Sequence, residues 1–498
     1  MTKRILIFSL LTTFYFSCEK ATNTEERAVT KQPNILLLIG DDHGYADLSI
    51  NELANDVQTP SLDALAAKST RFVNAYASSP ICSPSRVGLM TGTYQQRQGV
   101  LWYGGNGISD PNIPTVAELL SAKGYATGMV GKFHYGSKDG QTDNHSFPLN
   151  HGFQELFGFS GGRKHYIIHD NEKEAAFRKA MEQAENPKQS LKMEGFWEQD
   201  LQVKVEGFAT EILGERGKDF MKKHLENNQP FFLTLSFNAV HNFTHQLPEE
   251  YLKANNLKGY RDWNPDIEPY YEWYENGRKP NNPEGRDHYL GQLHYLDKEI
   301  GKLYDFLEQE EQLENTIIIY IGDNGGSTQI YADNTPFNGG KYTMYEGGLR
   351  VPLMIAWKGK YQAQKVSKNL VSGLDILPTL CEAAKVEIPE TVDGISLHSL
   401  LTGTDESIEH EALYWFGGSQ AAVRSGKWKY RWAEEGEDSY AKSSTQYEGV
   451  ALELGEYLYD LEADPSETQN RRKEAAEKFE ELKGKMKAWE KETVFLEN

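Results

Sequence analysis

Six short stretches of this 498-residue sequence carry residue types that could do chemistry together. Asp41-Asp42 and Asp323-Asn324 each follow an apolar run. Three carboxylates and an amide oxygen make an all-oxygen site for a hard divalent cation, Ca2+ or Mg2+. Adjacent acids are common on surfaces, so one pair alone says little. Two pairs, each directly after an apolar run, need a counter-ion if those runs are buried. Lys132 and His134 stand in V-G-K-F-H, and Lys341 follows the paired glycines of N-G-G-K, which let backbone approach a ligand closely. Arg86 lies one helical turn beyond Cys82, on the same face. Lys, Arg and His around a metal form a tetrahedral-anion pocket, in which cations neutralise oxygens and His moves a proton near neutral pH. Taken singly, each basic residue reads as a solvated surface charge, and His241 as a hydrogen-bonded structural histidine. Cys82, in Cys82-Ser83-Pro84-Ser85-Arg86, reads either as a free cysteine in a Pro/Ser turn entering a helix or as a thiol activated at a helix N-terminus. The set as a whole carries the case for a site.

The elements that must position these residues follow from apolar patterning. Asn34–Ile39, Thr127–Gly131, Phe231–Ser236 and Thr316–Ile321 read as buried strands, each ending just before candidate residues. Helical patterns cover Leu62–Lys68, Ile113–Lys123 and Leu290–Glu308. Alternating strands and helices predict an α/β fold with a large, mostly parallel sheet flanked by helices. In such sheets ligands bind at the C-terminal ends of strands, where all these residues fall. From about Glu411 the pattern changes. Short strands at 412–416, 421–424, 428–432 and 457–460, then a charged helix at 472–490, predict a small C-terminal α+β subdomain of antiparallel sheet plus helix. The expected division is a catalytic domain over 33–410 and this subdomain over 411–498.

These stretches together resemble the formylglycine-dependent sulfatases of the alkaline phosphatase superfamily. The resemblance rests on N-I-L-L-L-I-G-D-D-H-G-Y, C-S-P-S-R-V-G-L-M-T-G, Y-A-T-G-M-V-G-K-F-H, I-I-Y-I-G-D-N-G-G, N-G-G-K-Y-T-M-Y-E-G-G-L-R-V-P and L-Y-D-L-E-A-D-P-S-E, in that order from Pro33 to about Asp460. It implies that a maturation enzyme, aerobic or anaerobic, reads C-x-P-x-R on the unfolded chain and oxidises Cys82 to formylglycine. It implies one Ca2+ held by Asp41, Asp42, Asp323 and Asn324, with the modified Cys82 completing the shell. Arg86 and Lys132 would hold the aldehyde hydrate and the sulfate oxygens, and His134 would hydrogen-bond the hydrate. His241 and Lys341 would contact the sulfate ester, His241 as proton donor to the leaving alcohol. One hydroxyl of the hydrate attacks sulfur, and the second expels sulfate and restores the aldehyde, an exit that serine or a thiol lacks. Where the family often has A-P-H-x-P, this chain has Ala239-Val-His-Asn-Phe243, and His245 competes for the role of His241.

Bulk properties narrow the partners. The net charge of −21 argues against nucleic acid, and any polyanion site must be a local basic pocket in an acidic molecule. Residues 1–17 read as an export signal: Lys3 and Arg4, then an apolar stretch too short to span a bilayer. Ser17-Cys18 resembles the end of a bacterial lipoprotein signal with Cys18 acylated; plain cleavage and secretion is the alternative. Residues 18–32 read as a polar tether. The protein is then exported, to the periplasm or the cell surface, touching membrane only through a lipid anchor. Among the three cysteines, Cys381 reads as a small core residue, so no disulfide framework is indicated.

Two regions read as substrate walls. Gly161-Gly-Arg-Lys-His-Tyr166 offers Arg163, Lys164 and His165 after a glycine turn, and the insertion holding Gly259-Tyr-Arg-Asp-Trp263 and Tyr270-Tyr-Glu-Trp-Tyr274 is rich in aromatics. Aromatic faces stack on sugars and cations pair with uronates or further sulfates; at even weight, these aromatics simply pack the insertion. The expected substrate is a sulfated polysaccharide or its oligosaccharides, an algal glycan such as ulvan or carrageenan, or a glycosaminoglycan. A phosphonate or phosphate ester hydrolase of the same superfamily, or a non-catalytic glycan-binding lipoprotein, are the alternatives.

Overall fold

Five apolar runs become the parallel centre of a ten-stranded sheet: β1 (Asn34–Gly40), β2 (Ala126–Lys132), β3 (Glu155–Phe159), β4 (Phe231–Ser236) and β5 (Thr316–Gly322). The computed structural model describes residues 32–494 except 137, 162–164, 169–194, 260–262, 265 and 436–451. The expected export signal, Cys18, Arg163, Lys164 and the side chains of Tyr270 and Tyr271 lie outside the described residues. The spatial order of the central strands is β5-β1-β4-β2-β3, all mutually parallel. Shorter strands extend both flanks: Leu353–Trp357, Thr70–Phe72 and Lys365–Ser367 beyond β5, and Phe196–Glu198 and Leu201–Val203 beyond β3. Antiparallel pairing in this sheet is confined to those flanks.

Helices cover both faces: α1 (Pro60–Ala66), α2 (Cys82–Thr91), α3 (Val116–Ala122), α4 (Ala209–Glu226), α5 (Gly285–Gln309) and α6 (Ile376–Ala384). Leu36 and Leu38 of β1 pack with α1, α4 and α5, while Ile35, Leu37 and Ile39 pack with α2, α3 and α6. Successive side chains of a strand point to opposite faces. Both faces are therefore apolar, which is why these strands read as continuous apolar runs. Element ends differ from expectation for local reasons. Helix α3 starts at Val116 because Thr115 caps it: Glu118 N–H donates to Thr115 Oγ1 at 3.1 Å and Thr115 N–H to Glu118 Oε2 at 2.7 Å. Helix α1 starts early, at Pro60, whose fixed φ suits a first helical turn. Helix α5 starts at Gly285, before the expected Leu290, because buried polar residues such as His288 hide its periodicity.

The C-terminal strands Leu413–Phe416, Gln420–Ser425, Trp428–Ala433 and Gly455–Asp460 form an antiparallel sheet in that order, backed by α7 (Ala476–Thr493). One face packs on α7 through Val423, Tyr430 and Leu458; the other places Trp415 and Ala422 in a cluster with Ile81 and Cys82. This is the α/β fold with a small C-terminal α+β subdomain that the sequence predicts.

Lys429 of the small sheet lies 2.9 Å from both Glu346 Oε1 and Glu467 Oε1, with all three side chains fully buried. Lys429→Met leaves two buried carboxylates short of a cation. Denaturant unfolding is expected to show a loss of about 3–5 kcal/mol. A second buried pair joins His410 Nε2 to Asp375 Oδ1 at 2.7 Å. Burial works against the imidazolium, but Asp375 outweighs it and raises the His410 pKa above 6.5. A raised folded value gives stability that is full below the unfolded pKa and is lost as pH rises through the folded one. The difference in melting temperature between wild type and His410→Gln should therefore shrink as pH rises above neutrality.

Candidate active site

Register brings the acids together. β1 and β5 run in parallel with Gly40 opposite Gly322, so Asp41-Asp42 and Asp323-Asn324 leave the sheet side by side. Asp42 N–H donates to Asp323 Oδ1 at 3.2 Å. All four side chains are buried. Cys82 begins α2 beside them: ligand atoms of Asp41, Cys82 and Asp323 lie within 4.8 Å of one another, and so do those of Asp41, Asp42 and His241. The Asn324 amide donates to Asp42 Oδ1 at 2.7 Å and to Gly325 O at 2.8 Å, which turns its oxygen the other way. Asn324 Oδ1 and Asp41 Oδ1 are buried with no hydrogen-bond partner among the described residues. Burial, with repulsion from Asp323 and Asp42, pushes the Asp41 carboxyl up to about 7 against the pull of Lys132. Orphaned oxygens and a carboxyl resisting ionisation are what a hard cation relieves, so the donor set fits one.

Each acid is also met by a cation. Lys132 Nζ lies 2.5 Å from Asp41 Oδ2. Lys341 Nζ reaches both oxygens of Asp42 at 2.7 and 2.9 Å. Arg86 holds Asp323 Oδ2 through Nε at 2.9 Å and spends another donor on Lys132 O and Ser236 Oγ, at 2.7 and 2.6 Å. Burial opposes the ionised Asp323, but Arg86, Lys132 and Lys341 hold its carboxyl below the usual range. Burial opposes the Lys341 ammonium too, yet Asp42 and Cys82 raise its pKa well above the ordinary value. Lys132 directly follows Gly131, whose φ of 99° and whose approach to Ser236 O leave no room for a Cβ. The glycines before Lys341 serve backbone packing: a Cβ on Gly340 would lie 2.7 Å from Gly326 O, so their close approach is to protein rather than to a ligand.

Two histidines complete the group. His134 Nδ1 lies 3.3 Å from Cys82 Sγ. Burial, with Lys132, Arg86 and Lys341 close by, keeps the His134 imidazole well below its usual pKa, so it is neutral. Burial pushes the Cys82 thiol up despite Lys132 and Lys341. Cys82 is thus no activated thiolate, although it does begin a helix. His241 Nε2 sits 3.0 Å from Lys341 Nζ and 3.5 Å from Asp42 Oδ2. Its loop is held without prolines, by Val240 N–H to Asp41 O at 2.8 Å and Asp41 N–H to Ala239 O at 3.0 Å. Lys341 Nζ and the Asn242 amide nitrogen, both donors, stand on the two sides of the ring, 3.0 Å from Nε2 and 2.8 Å from Nδ1.

The structure brings Asp41, Asp42, Cys82, Arg86, Lys132, His134, His241, Asp323, Asn324 and Lys341 into one site; of the expected walls it describes His165, Trp263, Trp273 and Tyr274. His165 and His245 are 3% and 2% exposed. His165 packs against Phe243 and Trp273 at ring centroid distances of 4.4 and 5.6 Å, and His245 against Trp273 at 5.4 Å. His165, expected as a substrate contact, and His245, expected as a rival to His241, thus lie in a buried aromatic cluster. Trp263, Trp273 and Tyr274 are also buried, so the described aromatics of the insertion pack inward. Sequence reasoning missed Ser236, which steadies Arg86, and the pair Asn242–Tyr274, joined at 2.7 Å behind His241. An Asn directly after a candidate histidine was the one available signal.

A family model described as Sulfatase matches residues 33–386, and one described as N-sulphoglucosamine sulphohydrolase, C-terminal, matches residues 339–492. Human arylsulfatase A is 30% identical, covering 89% of this chain and 84% of that protein. An N-acetylgalactosamine-6-O-sulfatase of Bacteroides thetaiotaomicron is 28% identical, covering 93% of this chain and 94% of its own. Among solved structures, Ps i-CgsB superposes with a TM-score of 0.75 at 27% identity, covering 93% of both chains, and has also been solved in complex with k-i-k-neocarrahexaose.

The donor set predicts a metal response. Ca2+ at a hundred times its Kd should stabilise the fold by about 2.7 kcal/mol, seen as a rise in melting temperature that a chelator reverses. Asp42→Ala and Asp323→Ala should each remove that rise, and calorimetric titration should show no binding.

Proposed function

Because the chain belongs to the sulfatase family of sulfuric ester hydrolases, we propose that it cleaves sulfate esters of a carbohydrate at a formylglycine made from Cys82, beside a bound Ca2+. The observation that carries this reading is Cys82 itself: first residue of α2, 3.3 Å from His134, within ligand reach of Asp41 and Asp323, and with its thiol pKa raised. A buried, un-ionised thiol is a poor nucleophile. A hydrated aldehyde at the same position would offer two hydroxyls, one to take the sulfuryl group and one to expel it. Asp41, Asp42, Asp323 and Asn324 would hold the cation, which would supply Lewis-acid stabilisation of charge on the sulfuryl oxygens.

The chain's own residues account for the rest. Arg86 and Lys132 neutralise charge around residue 82, and neutral His134 would accept a hydrogen bond from the hydroxyl beside it. Lys341 and His241 stand together beside Asp42, and His241 in its protonated form would give a proton to the departing alcohol oxygen. Cys82 is 3% exposed, so conversion by a maturation enzyme has to precede folding. A carbohydrate substrate is supported by the names of the relatives, one of which acts on N-acetylgalactosamine-6-sulfate groups, and by the oligosaccharide bound to Ps i-CgsB. We assign catalysis to residues 33–410 and a supporting role to 411–498. We further assign export by residues 1–17 to the periplasm or cell surface, with Cys18 as the lipid attachment.

In protein made alongside a maturation enzyme, the Cys82 peptide should have lost a sulfur and two hydrogens and gained an oxygen. That protein should release sulfate from N-acetylgalactosamine 6-sulfate or a sulfated carrageenan oligosaccharide. Cys82→Ala should lower kcat on the order of 10^4-fold or more. A thiol persisting at Cys82, in a host that converts a control sulfatase, would overturn the mechanism.

A further inference from the structure

A loop that the catalytic assignment does not use stands at this site. Residues 102–105 form a tight turn closed by Gly105 N–H to Trp102 O at 2.9 Å. Its far side abuts the strand end that carries Lys132 and His134: a Cβ on Gly136 would lie 2.6 Å from Gly105 O. Its near side carries Trp102, whose ring lies 5.5 Å from that of Tyr342, the neighbour of Lys341. Lys341 Nζ is itself 5.7 Å from the Tyr342 ring centre. Trp102 and Tyr342 both pack on the cluster containing Ile81 and Cys82. Tyr103 packs partly over Trp102, its ring centroid 4.5 Å away at a tilt of 39°, and is 40% exposed.

Tyr342 is held in place at a cost. Its φ of 69° lies in the left-handed region, unfavourable for a residue with a bulky side chain. The conformation is fixed from both sides. Tyr342 N–H donates to Pro80 O at 2.9 Å, and Gln420 of the small sheet spans the turn, donating to Tyr342 O at 3.3 Å and accepting from Met344 N–H at 3.3 Å. The strain keeps one aromatic ring beside the lysine assigned to the sulfate ester. We propose that Trp102, Tyr103 and Tyr342 form a platform on which a pyranose ring of the substrate stacks, so that its sulfate reaches Lys341 and residue 82. The proposal rests on the carbohydrate reading above and names residues that give it ring specificity. A sugar ring has an apolar face and polar edges, and Trp and Tyr match that with an apolar body and a polar tip.

The test uses mature enzyme whose Cys82 conversion has been verified by mass, with N-acetylgalactosamine 6-sulfate and a sulfated neocarrahexaose as substrates. Trp102→Ala and Tyr103→Ala should each lower kcat/KM on the better substrate by roughly two- to tenfold, through KM, and Trp102→Phe should recover most of the loss. Tyr103 is exposed enough that its replacement leaves the fold alone, which keeps the test open should Trp102→Ala misfold. The inhibition constant of inorganic sulfate reads the sulfate pocket separately and should not follow KM. Unchanged kcat/KM in both alanine variants overturns the platform while the carbohydrate reading stands. A sulfate inhibition constant that rises in step with KM also overturns it, because the defect then lies in the pocket. Wild-type enzyme that cleaves 4-nitrophenyl sulfate and neither sugar overturns the carbohydrate reading and the platform with it.

Discussion

Three carboxylates buried at adjoining strand ends are the constraint on which the rest of this structure depends. An ionised carboxylate without a partner is among the most costly groups to bury. Here each has a cation of its own: Lys132 for Asp41, Lys341 for Asp42 and Arg86 for Asp323. The partners are separated by 91, 299 and 237 residues in sequence, so neutrality is reached only when sheet and helices are assembled. The register of β1 on β5 sets the acids side by side, and α2 aims Arg86 across the strand ends. The same compensation leaves the site responsive. Donors that neutralise carboxylates in this arrangement are those an anionic ester needs, and the orphaned oxygens of Asp41 and Asn324 are those a cation needs. Positive φ occurs within the site at Asp42, His134 and Tyr342.

The C-terminal sheet belongs to this arrangement physically. The segment carrying Lys341 continues into Glu346, whose carboxylate meets Arg350 at 2.6 Å and Lys429 at 2.9 Å, and whose N–H donates to Glu467 Oε2 at 2.6 Å. Gln420 grips the turn after Lys341 from the same sheet. A lysine on a glycine-rich turn would otherwise be free to wander. Here the turn is anchored by buried ion pairs and amide hydrogen bonds contributed by residues more than seventy positions later.

How much of this was legible in the sequence depended on whether the signal was local. Asn34–Ile39, Phe231–Ser236 and Thr316–Ile321 could be read because strands covered on both faces are unbroken apolar runs. Leu353–Trp357 is just as apolar but follows Pro352 and the glycine-rich turn region, and was not picked out. The acids, Cys82, Arg86, Lys132, His134, His241 and Lys341 were visible as types at motif spacing. Their pairing was not, since it is set by strand order. Ser236, Asn242, Tyr274 and Trp102 acquire their roles only through packing. His165 and His245 show the opposite failure. One was expected as a substrate contact and the other as a rival to His241, yet Phe243 and Trp273 fold over both.

The molecule's charge sharpens what the site must do. With a net charge of −21, a sulfated substrate meets a repulsive field at a distance. Physiological salt screens that field beyond about 8 Å, so repulsion slows encounter more than it weakens a complex already formed. Affinity must then come from contacts shorter than the screening length. On the proposed assignment Arg86, Lys132 and Lys341 would supply them for one sulfate group, but each is already committed to a carboxylate. Neutral contacts carry no such conflict. An aromatic surface beside Lys341 attracts a sugar ring whatever the sign of the surrounding field, and salt does not weaken it. In an acidic protein that takes an acidic substrate, ring recognition next to a compact cationic pocket is the physically consistent division of labour.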